Sequence, residues 1–266
     1  MTRDTNPSIV STAPDLPVEL VNQTGVSPVL LVCEHASNFI PDCFDGLGLA
    51  PSERTSHIAW DPGAETVSRH LSRLLDARLV ACQVSRLVYD CNRSPEMADA
   101  IPERSEKFVI PGNRSLTRLQ KKHRIDTYYQ PFYDTLGLQV SSGTEALVTI
   151  HSFAPIYNDR VREVEIGIIH DTDQRLADAL LANTSIGDKR LWRNRPYTAD
   201  DGVTHTLKTH GTASGILNVM VEIRNDLIQT ERDQFDIALA LAGALHEALE
   251  SLNVRQPHGE LHAQLH

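Results

Sequence analysis

Short, uninterrupted apolar runs alternate with longer amphipathic segments along this chain of 266 residues. The apolar runs predict buried β-strands, because a strand that is covered on both faces needs no polar alternation. The segments between them carry apolar residues three and four apart and predict helices. The strands are predicted over residues 29–33, 79–84, 146–150, 164–169 and 216–222, and the helices over 61–76, 114–139, 171–183 and 227–252.

Strands that alternate with helices predict an α/β fold, a mostly parallel twisted sheet with helices on both faces. Residues 29–254 form one predicted domain. Residues 1–28 are polar and rich in proline, which predicts an extended arm that could bridge the subunits of a homo-oligomer. Residues 255–266 predict a flexible tail, in which His258, His262 and His266 are spaced by four.

The charge balance narrows the choice of partners. Asp and Glu total 35 against 25 Lys and Arg, a formal net charge of -10 that opposes a nucleic-acid or anionic-membrane partner. We expect a cytoplasmic protein, because no run of 18 apolar residues and no apolar signal segment occurs. The four cysteines form no Cys-x-x-Cys pair, so a zinc ribbon or a thioredoxin-like site is not expected.

Histidines and carboxylates follow the predicted strands at the edge of the sheet where α/β proteins bind ligands. Glu34 and His35 follow the first strand, His151 follows the third, and Glu222 ends the fifth. Two imidazoles with carboxylates form the ligand set of a catalytic zinc site. Hydrogen-bonded structural histidines are the alternative, and manganese, iron or cobalt could occupy the same ligands. Asp61 fits this cluster or a simple helix N-cap.

Two arginines flank a polar turn within residues 85–93. Arg86 and Arg93 lie on either side of Asp90 and Asn92. A guanidinium group binds a carboxylate through two parallel hydrogen bonds. The segment therefore predicts recognition of an anionic substrate, with surface ion pairs as the alternative.

For two residues the sequence allows both a structural and a functional role. Arg224 is predicted either to pair with Glu222 or to contact substrate, and His205 either to contact substrate or to lie in a polar loop. Gly-x-Gly-x-x-Gly, Walker and Gly-x-Ser-x-Gly motifs are missing from the sequence, so a nucleotide site or a serine elbow is not expected. A hydrolase that uses Ser152 or Cys33 is the remaining metal-independent alternative.

Five motifs occur in order along the chain, namely Glu34-His35-Ala36-Ser37-Asn38, Trp60-Asp61-Pro62-Gly63-Ala64, Arg86 with Asp90-Cys91-Asn92-Arg93, His151-Ser152, and Glu222-Ile223-Arg224-Asn225-Asp226-Leu227. In this order they resemble the N-formylglutamate amidohydrolase family over roughly residues 29–250. The resemblance implies a fold similar to that of the zinc carboxypeptidases, the phosphorylase/hydrolase-like fold. It also implies a fold similar to that of the aspartoacylase and succinylglutamate desuccinylase group.

The resemblance also implies that His35 and His151 bind zinc. In the carboxypeptidase relatives, a Glu three residues after the first His is a further ligand, and that position is Asn38 here. Asp61 is the predicted replacement, with Glu34 as the second choice. The residues around His35 indicate a divergent branch of the family, whose substrate could differ.

The implied reaction is metal-dependent hydrolysis of an N-acyl amino acid, first of all N-formyl-L-glutamate to formate and L-glutamate. Glu222 is the implied base, and Arg86 faces the oxyanion. Arg93 and Asn92 would hold the carboxylate of this small anionic substrate, and Asp90 would orient one of these groups. The alternatives are a zinc-dependent deacylase or carboxypeptidase-like amidase for another N-acyl amino acid, and a non-catalytic metal- or carboxylate-binding protein.

Overall fold

A computed structural model describes residues 16–182 and 185–255. Within these residues, eight strands form one central sheet, and two short hairpins lie outside it. The strands are β1 (Val18–Val21), β2 (Val29–Cys33), β3 (Arg78–Cys82), β4 (Arg104–Ser105), β5 (Phe108–Val109), β6 (Ala146–Phe153), β7 (Ile156–Tyr157), β8 (Arg160–Val161), β9 (Ile166–Ile169), β10 (Ser185–Ile186), β11 (Lys189–Arg193) and β12 (Leu217–Arg224).

The central sheet has the order β1-β3-β2-β6-β12-β9-β11-β10. Strands β3, β2, β6 and β12 are parallel, as are β9 and β11. The antiparallel pairs are β1 with β3, β12 with β9, and β11 with β10. The predicted α/β class with a mostly parallel sheet is therefore confirmed, with antiparallel additions towards both edges.

Helices cover the sheet on both faces. They are α1 (Pro51–Arg54), α2 (Ala64–Leu74), α3 (Arg118–Arg124), α4 (Gln130–Ser141), α5 (Arg175–Leu181) and α6 (Glu231–Ser251). Helices α2, α5 and α6 share one apolar core with alternate strand residues such as Leu31. Helix α4 packs into a second core on the opposite face, together with Leu30. Successive side chains of β2 therefore point into opposite cores. Both faces of the strand are buried, which is why its apolar run is continuous.

Several element boundaries differ from the predictions. The helix predicted over 114–139 is two helices, α3 and α4, joined by a π-helical turn. Helix α6 begins after Thr230, whose side chain accepts a hydrogen bond from the Asp233 backbone N–H. Helix α2 begins after Gly63 rather than at Asp61, because the Gly63 backbone has a φ of 83°, which favours glycine.

Strand β1 lies within the stretch predicted as an extended arm. It pairs with β3 from Val18 opposite Cys82 to Val21 opposite Leu79, at the edge of the sheet. Its side chains are only half-buried, so they produce no continuous apolar run. The predicted tail and its three histidines lie outside the described residues, and the domain boundaries stay a prediction.

The register of the central strands brings the predicted site residues together. Glu222 on β12 lies opposite His151 on β6, and Val32 on β2 lies opposite Thr149. His35, three residues beyond Val32, therefore lies beside His151 at the carboxyl edge of the sheet. Among the described residues, no helix is both long enough and apolar enough to cross a membrane.

Candidate metal centre and hydrolytic cleft

Three buried side chains converge at the carboxyl edge of β2 and β6. His35 Nδ1 and His151 Nδ1 are 3.2 Å apart, and Asp61 Oδ2 lies 3.2 Å from the first and 2.9 Å from the second. The three atoms form a nearly equilateral triangle. In a tetrahedral zinc site with bonds of about 2.1 Å, two ligand atoms are roughly 3.4 Å apart, so the triangle resembles one face of such a site.

Each histidine also has a second carboxylate on its far side. His35 Nε2 lies 2.8 Å from Asp90 Oδ1 in a hydrogen bond, and His151 Nε2 lies 3.1 Å from Glu34 Oε2 in an ion-pair contact that does not have the geometry of a hydrogen bond. A carboxylate behind an imidazole holds the proton on the distant nitrogen and leaves the other nitrogen free to bind a metal. Both Nδ1 atoms therefore face the cluster as potential ligands.

The charges around the cluster favour a cation at its centre. A metal binds neutral imidazoles, and in that state the single guanidinium of Arg86 matches only one of the three buried carboxylates of Glu34, Asp61 and Asp90, which leaves two negative charges for the metal to compensate. Burial opposes ionisation of Asp61, yet the imidazoles of His35 and His151 hold the pKa of this carboxyl well below its usual range. A divalent metal would supply the missing positive charge. The donor set, two nitrogens and one oxygen, suits zinc.

Asp61 belongs to this cluster and does not cap α2. Its Oδ2 accepts a hydrogen bond from the Ser152 backbone N–H at 3.2 Å, and its own N–H donates to the His35 carbonyl at 3.0 Å. Between Asp61 and α2, Pro62 and Gly63 turn the chain, so the carboxylate points to the strands. His35, Asp61 and His151 are also the group of potential ligands whose atoms all lie within 4.8 Å of one another in the described part of the chain.

Arg86 bridges two of the carboxylates. Its Nη2 donates to Asp90 Oδ2 at 3.0 Å, and its Nη1 lies 3.4 Å from Asp61 Oδ1. Burial lowers the pKa of Arg86, but these two carboxylates outweigh burial and raise it. The guanidinium is therefore a fixed positive charge beside the cluster, and its remaining N–H groups are available to an oxygen in the cleft.

Glu222 lies across from the cluster, with an unusual environment for a carboxylate. The side chain is 4% exposed, and its Oε2 has no hydrogen-bond partner among the described residues. Burial, reinforced by the Asp61 charge and opposed by His151, raises the pKa of Glu222 to about 7. A carboxyl group with this pKa can both accept and release a proton near neutral pH.

Glu222→Gln should stabilise the metal-free protein in alkaline but not in acidic solution. The pKa is about 7 in the folded state against an ordinary value of 4.5, so the cost of ionising Glu222 is absent below pH 4.5 and complete above pH 7. The expected gain at pH 8 is on the order of 3 kcal/mol in the free energy of unfolding. Urea unfolding at pH 5 and pH 8 in the presence of a chelator measures it. If Glu222→Gln gained no more at pH 8 than at pH 5, or lost stability at pH 8, folding would not raise the pKa of Glu222.

All of these groups except Glu34 line one cleft of about 300 Å³. Its volume suits a small molecule. Arg93 and Asn92 also line the cleft. Arg93 Nε donates to Asp99 at 2.8 Å and its Nη1 donates to the Asn92 carbonyl at 3.1 Å, so part of its guanidinium is already paired. The Asn92 amide donates to the Val203 carbonyl at 2.6 Å and accepts from the Thr206 backbone N–H at 3.1 Å, and so ties the segment around 203–206 to the cleft.

Two predicted substrate-binding residues lie elsewhere. His205 Nε2 is 2.9 Å from the Tyr129 hydroxyl, and Arg224 donates to Asp226 at 2.7 Å and to the Arg162 carbonyl at 3.1 Å. Neither His205 nor Arg224 is among the described residues that line the cleft. Their roles in substrate binding stay predictions, and the ion pair between Arg224 and Glu222 is absent among the described contacts.

Arg162 and Tyr197 are among the cleft residues that the sequence did not predict. Arg162 follows the β7–β8 hairpin, and its Nη1 donates to the Tyr197 hydroxyl at 3.1 Å. Burial and the nearby Glu222 raise the pKa of Tyr197 to about 12, so the phenol stays protonated at neutral pH. The one signal in the sequence is the pair Asn158 and Asp159, which favours the tight hairpin turn that positions Arg162.

The two alternative nucleophiles are placed unfavourably. Cys33 is fully buried within β2, and burial raises the pKa of its thiol well above the usual value. Ser152 donates its hydroxyl proton to the Pro62 carbonyl at 2.8 Å. Neither side chain has the adjacent base that would activate it, in the part of the chain that the structure describes.

Comparison with known proteins gives consistent results. A family model described as N-formylglutamate amidohydrolase matches residues 27–229. The chain is similar to a gene product of Agrobacterium tumefaciens of known crystal structure, with 47% identity over 90% of this chain and 96% of that chain and a TM-score of 0.87. A search of curated proteins found no match.

A more distant similarity is to the crystal structure of an N-formylglutamate amidohydrolase from Ralstonia eutropha. The identity is 20% over 88% of this chain and 99% of that chain, with a TM-score of 0.62. At this identity the similarity shows that the two chains share a fold.

Proposed function

We propose, from the premise that the chain belongs to the N-formylglutamate amidohydrolase family and is a hydrolase of amide bonds, that it is a metal-dependent enzyme. Its substrate is an N-acyl amino acid, N-formyl-L-glutamate first of all, and its products are formate and L-glutamate. Zinc is the metal that the two-histidine, one-carboxylate donor set favours, although other divalent metals can bind the same ligands.

One observation carries the proposal. The triangle of His35 Nδ1, His151 Nδ1 and Asp61 Oδ2 shares a cleft with Glu222, whose Oε2 has no hydrogen-bond partner among the described residues. His35, His151 and Asp61 would hold the metal, with Asp61 as the oxygen ligand. Glu34 would act behind His151 rather than as a ligand, because it does not line the cleft. The metal would supply Lewis acidity, which activates water and polarises the amide carbonyl.

The chain's own residues supply the proton transfers. Glu222 would remove a proton from the attacking water as the new C–O bond forms at the carbonyl carbon. The same carboxyl would then deliver that proton to the nitrogen as the C–N bond breaks. Arg86 would stabilise the negative charge that develops on the carbonyl oxygen, where one donor is typically worth about 10²–10³ in rate.

Asp90 is a positioning residue in this mechanism. It accepts hydrogen bonds from Arg86 and from the Asn92 backbone N–H, and it lies behind His35. Arg93 would bind a carboxylate of the substrate with the N–H groups that do not donate to Asp99 or to the Asn92 carbonyl. Asn92 would act by tying the 203–206 segment to the wall of the cleft.

Asp90→Asn should weaken metal binding without removing a ligand. An amide cannot draw the proton of His35 Nε2 as strongly, and loss of such an outer partner typically costs about 10–100-fold in metal affinity or activity. Glu34→Gln should have a smaller effect, since the Glu34–His151 contact is longer. Competition with a metal-binding dye measures both affinities, and unchanged affinity in Asp90→Asn would contradict the positioning role.

The substrate assignment is tested with the wild-type protein and a panel of N-formyl and N-acetyl amino acids. Release of the free amino acid, with formate from the formyl substrates and acetate from the acetyl substrate, is measured for N-formyl-L-glutamate, N-formyl-L-aspartate, N-formyl-L-methionine and N-acetyl-L-glutamate. We expect kcat/KM to be highest for N-formyl-L-glutamate. A higher value for an N-acetyl substrate would replace the proposal by a deacylase for another N-acyl amino acid.

A further inference from the structure

The cleft contains an arginine that is not neutralised by an acidic partner. Arg86 contacts Asp61 and Asp90, and Arg93 pairs with Asp99. Arg162, which lines the same cleft, forms no ion pair with a carboxylate among the described residues. Its polar partner in the cleft is instead the neutral hydroxyl of Tyr197, at 3.1 Å.

Aromatic rings fix the position of this guanidinium. The Arg162 guanidinium carbon lies 4.5 Å from the ring centre of Tyr157, 5.0 Å from that of Tyr197 and 5.4 Å from that of Phe153. Stacking on aromatic faces stabilises a guanidinium without neutralising its charge. The side chain is therefore already ordered, and binding an anion would cost it little conformational entropy.

The backbone of Arg162 is held as firmly as its side chain. Its N–H donates to the Pro155 carbonyl at 2.8 Å, and its carbonyl accepts from Arg224 Nη1 at 3.1 Å. Arg224 is itself anchored by Asp226 at 2.7 Å. Arg224, predicted as a substrate contact, thus fixes the base of the β7–β8 hairpin.

We propose that Arg162, in the cradle of Phe153, Tyr157 and Tyr197, binds a carboxylate of the substrate and so selects a dicarboxylic amino-acid moiety. The inference rests on the proposed function and adds a second carboxylate site to that of Arg93. N-Formyl-L-glutamate has two carboxylates. Of the four arginines that line the cleft, Arg86 is paired with Asp61 and Asp90 and Arg104 is exposed, which leaves Arg93 and Arg162 to take one carboxylate each. The tyrosine hydroxyl at Arg162 adds a hydrogen-bond donor for the same carboxylate.

The test compares variants of Arg162 with a variant of Arg160, which lies in strand β8 two residues earlier. Arg162→Gln removes the charge, Arg162→Lys keeps the charge without the planar fork, and Arg160→Gln alters an exposed residue of β8. We expect Arg162→Gln to raise the KM for N-formyl-L-glutamate and the Kd for L-glutamate by about 10²-fold, with kcat nearly unchanged. Arg162→Lys should recover part of the loss, and Arg160→Gln should match the wild type.

Substrate comparison identifies the carboxylate. If Arg162 binds the side-chain carboxylate, Arg162→Gln should lose its penalty with N-formyl-L-glutamine; if it binds the α-carboxylate, the penalty should persist. Binding of L-glutamate is measured by calorimetry. This measurement needs no turnover, so it tests the carboxylate site at Arg162 separately from the proposed hydrolysis. Binding that depends on Arg162 in a protein without hydrolysis would support this inference and contradict the proposed function. Hydrolysis with unchanged KM and Kd in Arg162→Gln, or no binding of L-glutamate by the wild type, would overturn this inference.

Discussion

Glu222→Gln is expected to lower kcat for N-formyl-L-glutamate by about 10²–10⁴, the usual contribution of a general acid–base. Glutamine has nearly the same shape but cannot accept the proton from water. Glu222 lines the cleft, its Oε2 has no hydrogen-bond partner in the part of the chain that the structure describes, and burial raises its pKa to about 7. These are the properties that the role of proton acceptor and donor requires. Steady-state formate release from the wild type and the variant measures the loss.

Metal content distinguishes loss of the base from loss of the site. Glu222 is not part of the triangle of potential ligands, so Glu222→Gln should retain the metal content of the wild type. Glu163, an exposed residue of the same charge that follows the β7–β8 hairpin, gives the matched control, and Glu163→Gln should leave kcat unchanged. Near-normal turnover by a metal-loaded Glu222→Gln protein would show that another group moves the proton.

Asp61→Asn is expected to have the second large effect, on metal binding itself. Asp61 Oδ2 is the oxygen of the triangle, and asparagine replaces its charged oxygen with a neutral one. The loss of metal affinity should exceed the roughly 10–100-fold that is typical of an outer-shell partner such as Asp90. Activity should fall in parallel, and added metal should restore part of it. Metal titration followed by formate release measures both quantities.

Substitutions of two other carboxylates, Asp126 and Glu34, are the controls for Asp61→Asn. Asp126→Asn removes an equal charge from the surface, where Asp126 pairs with Lys122, and should change neither metal affinity nor activity. If Asp61→Asn bound metal as tightly as the wild type while Glu34→Gln lost it, Glu34 would be the oxygen ligand. That result would contradict the assignment made from the triangle.

The strands of the central sheet could be predicted because burial on both faces leaves a signature in the sequence. Strands β2, β6 and β12 are continuous apolar runs, and their order along the chain with intervening helices indicates parallel pairing. Strands β1 and β11 were missed for the opposite reason. Both are partly exposed, so polar side chains interrupt their apolar pattern.

Only the residues of the candidate site that lie at the ends of the strands could be predicted from the sequence. His35, His151 and Glu222 follow from their positions at the carboxyl ends of the strands, and parallel strands bring such positions together. The role of Asp61 depended on the family resemblance, because Asp-Pro before a helix also predicts an N-cap. Arg162 and Tyr197 reach the cleft from a hairpin and a loop, whose paths depend on long-range packing that one sequence does not reveal.

The site is built at a cost to stability. Glu34, Asp61, Asp90 and Glu222 are all nearly or fully buried, and an ion removed from water costs several kcal/mol unless it is well paired. Arg86 offsets part of this cost. The imidazoles of His35 and His151 offset more in the metal-free state, since burial lowers the pKa of His151 but the Glu34 and Asp61 carboxylates outweigh burial and raise it. Such an arrangement is favourable when a metal completes it.

Metal dependence of the hydrolysis is the central claim, and one measurement tests it most directly. The metal content of the purified wild-type protein and its release of formate from N-formyl-L-glutamate are measured on the same sample, before and after chelation and after return of Zn²⁺. The proposed mechanism predicts one equivalent of metal per chain, loss of activity in step with loss of metal, and recovery when Zn²⁺ is returned. Full activity in protein with no detectable metal would contradict the mechanism and leave His35, Asp61 and His151 as a structural cluster.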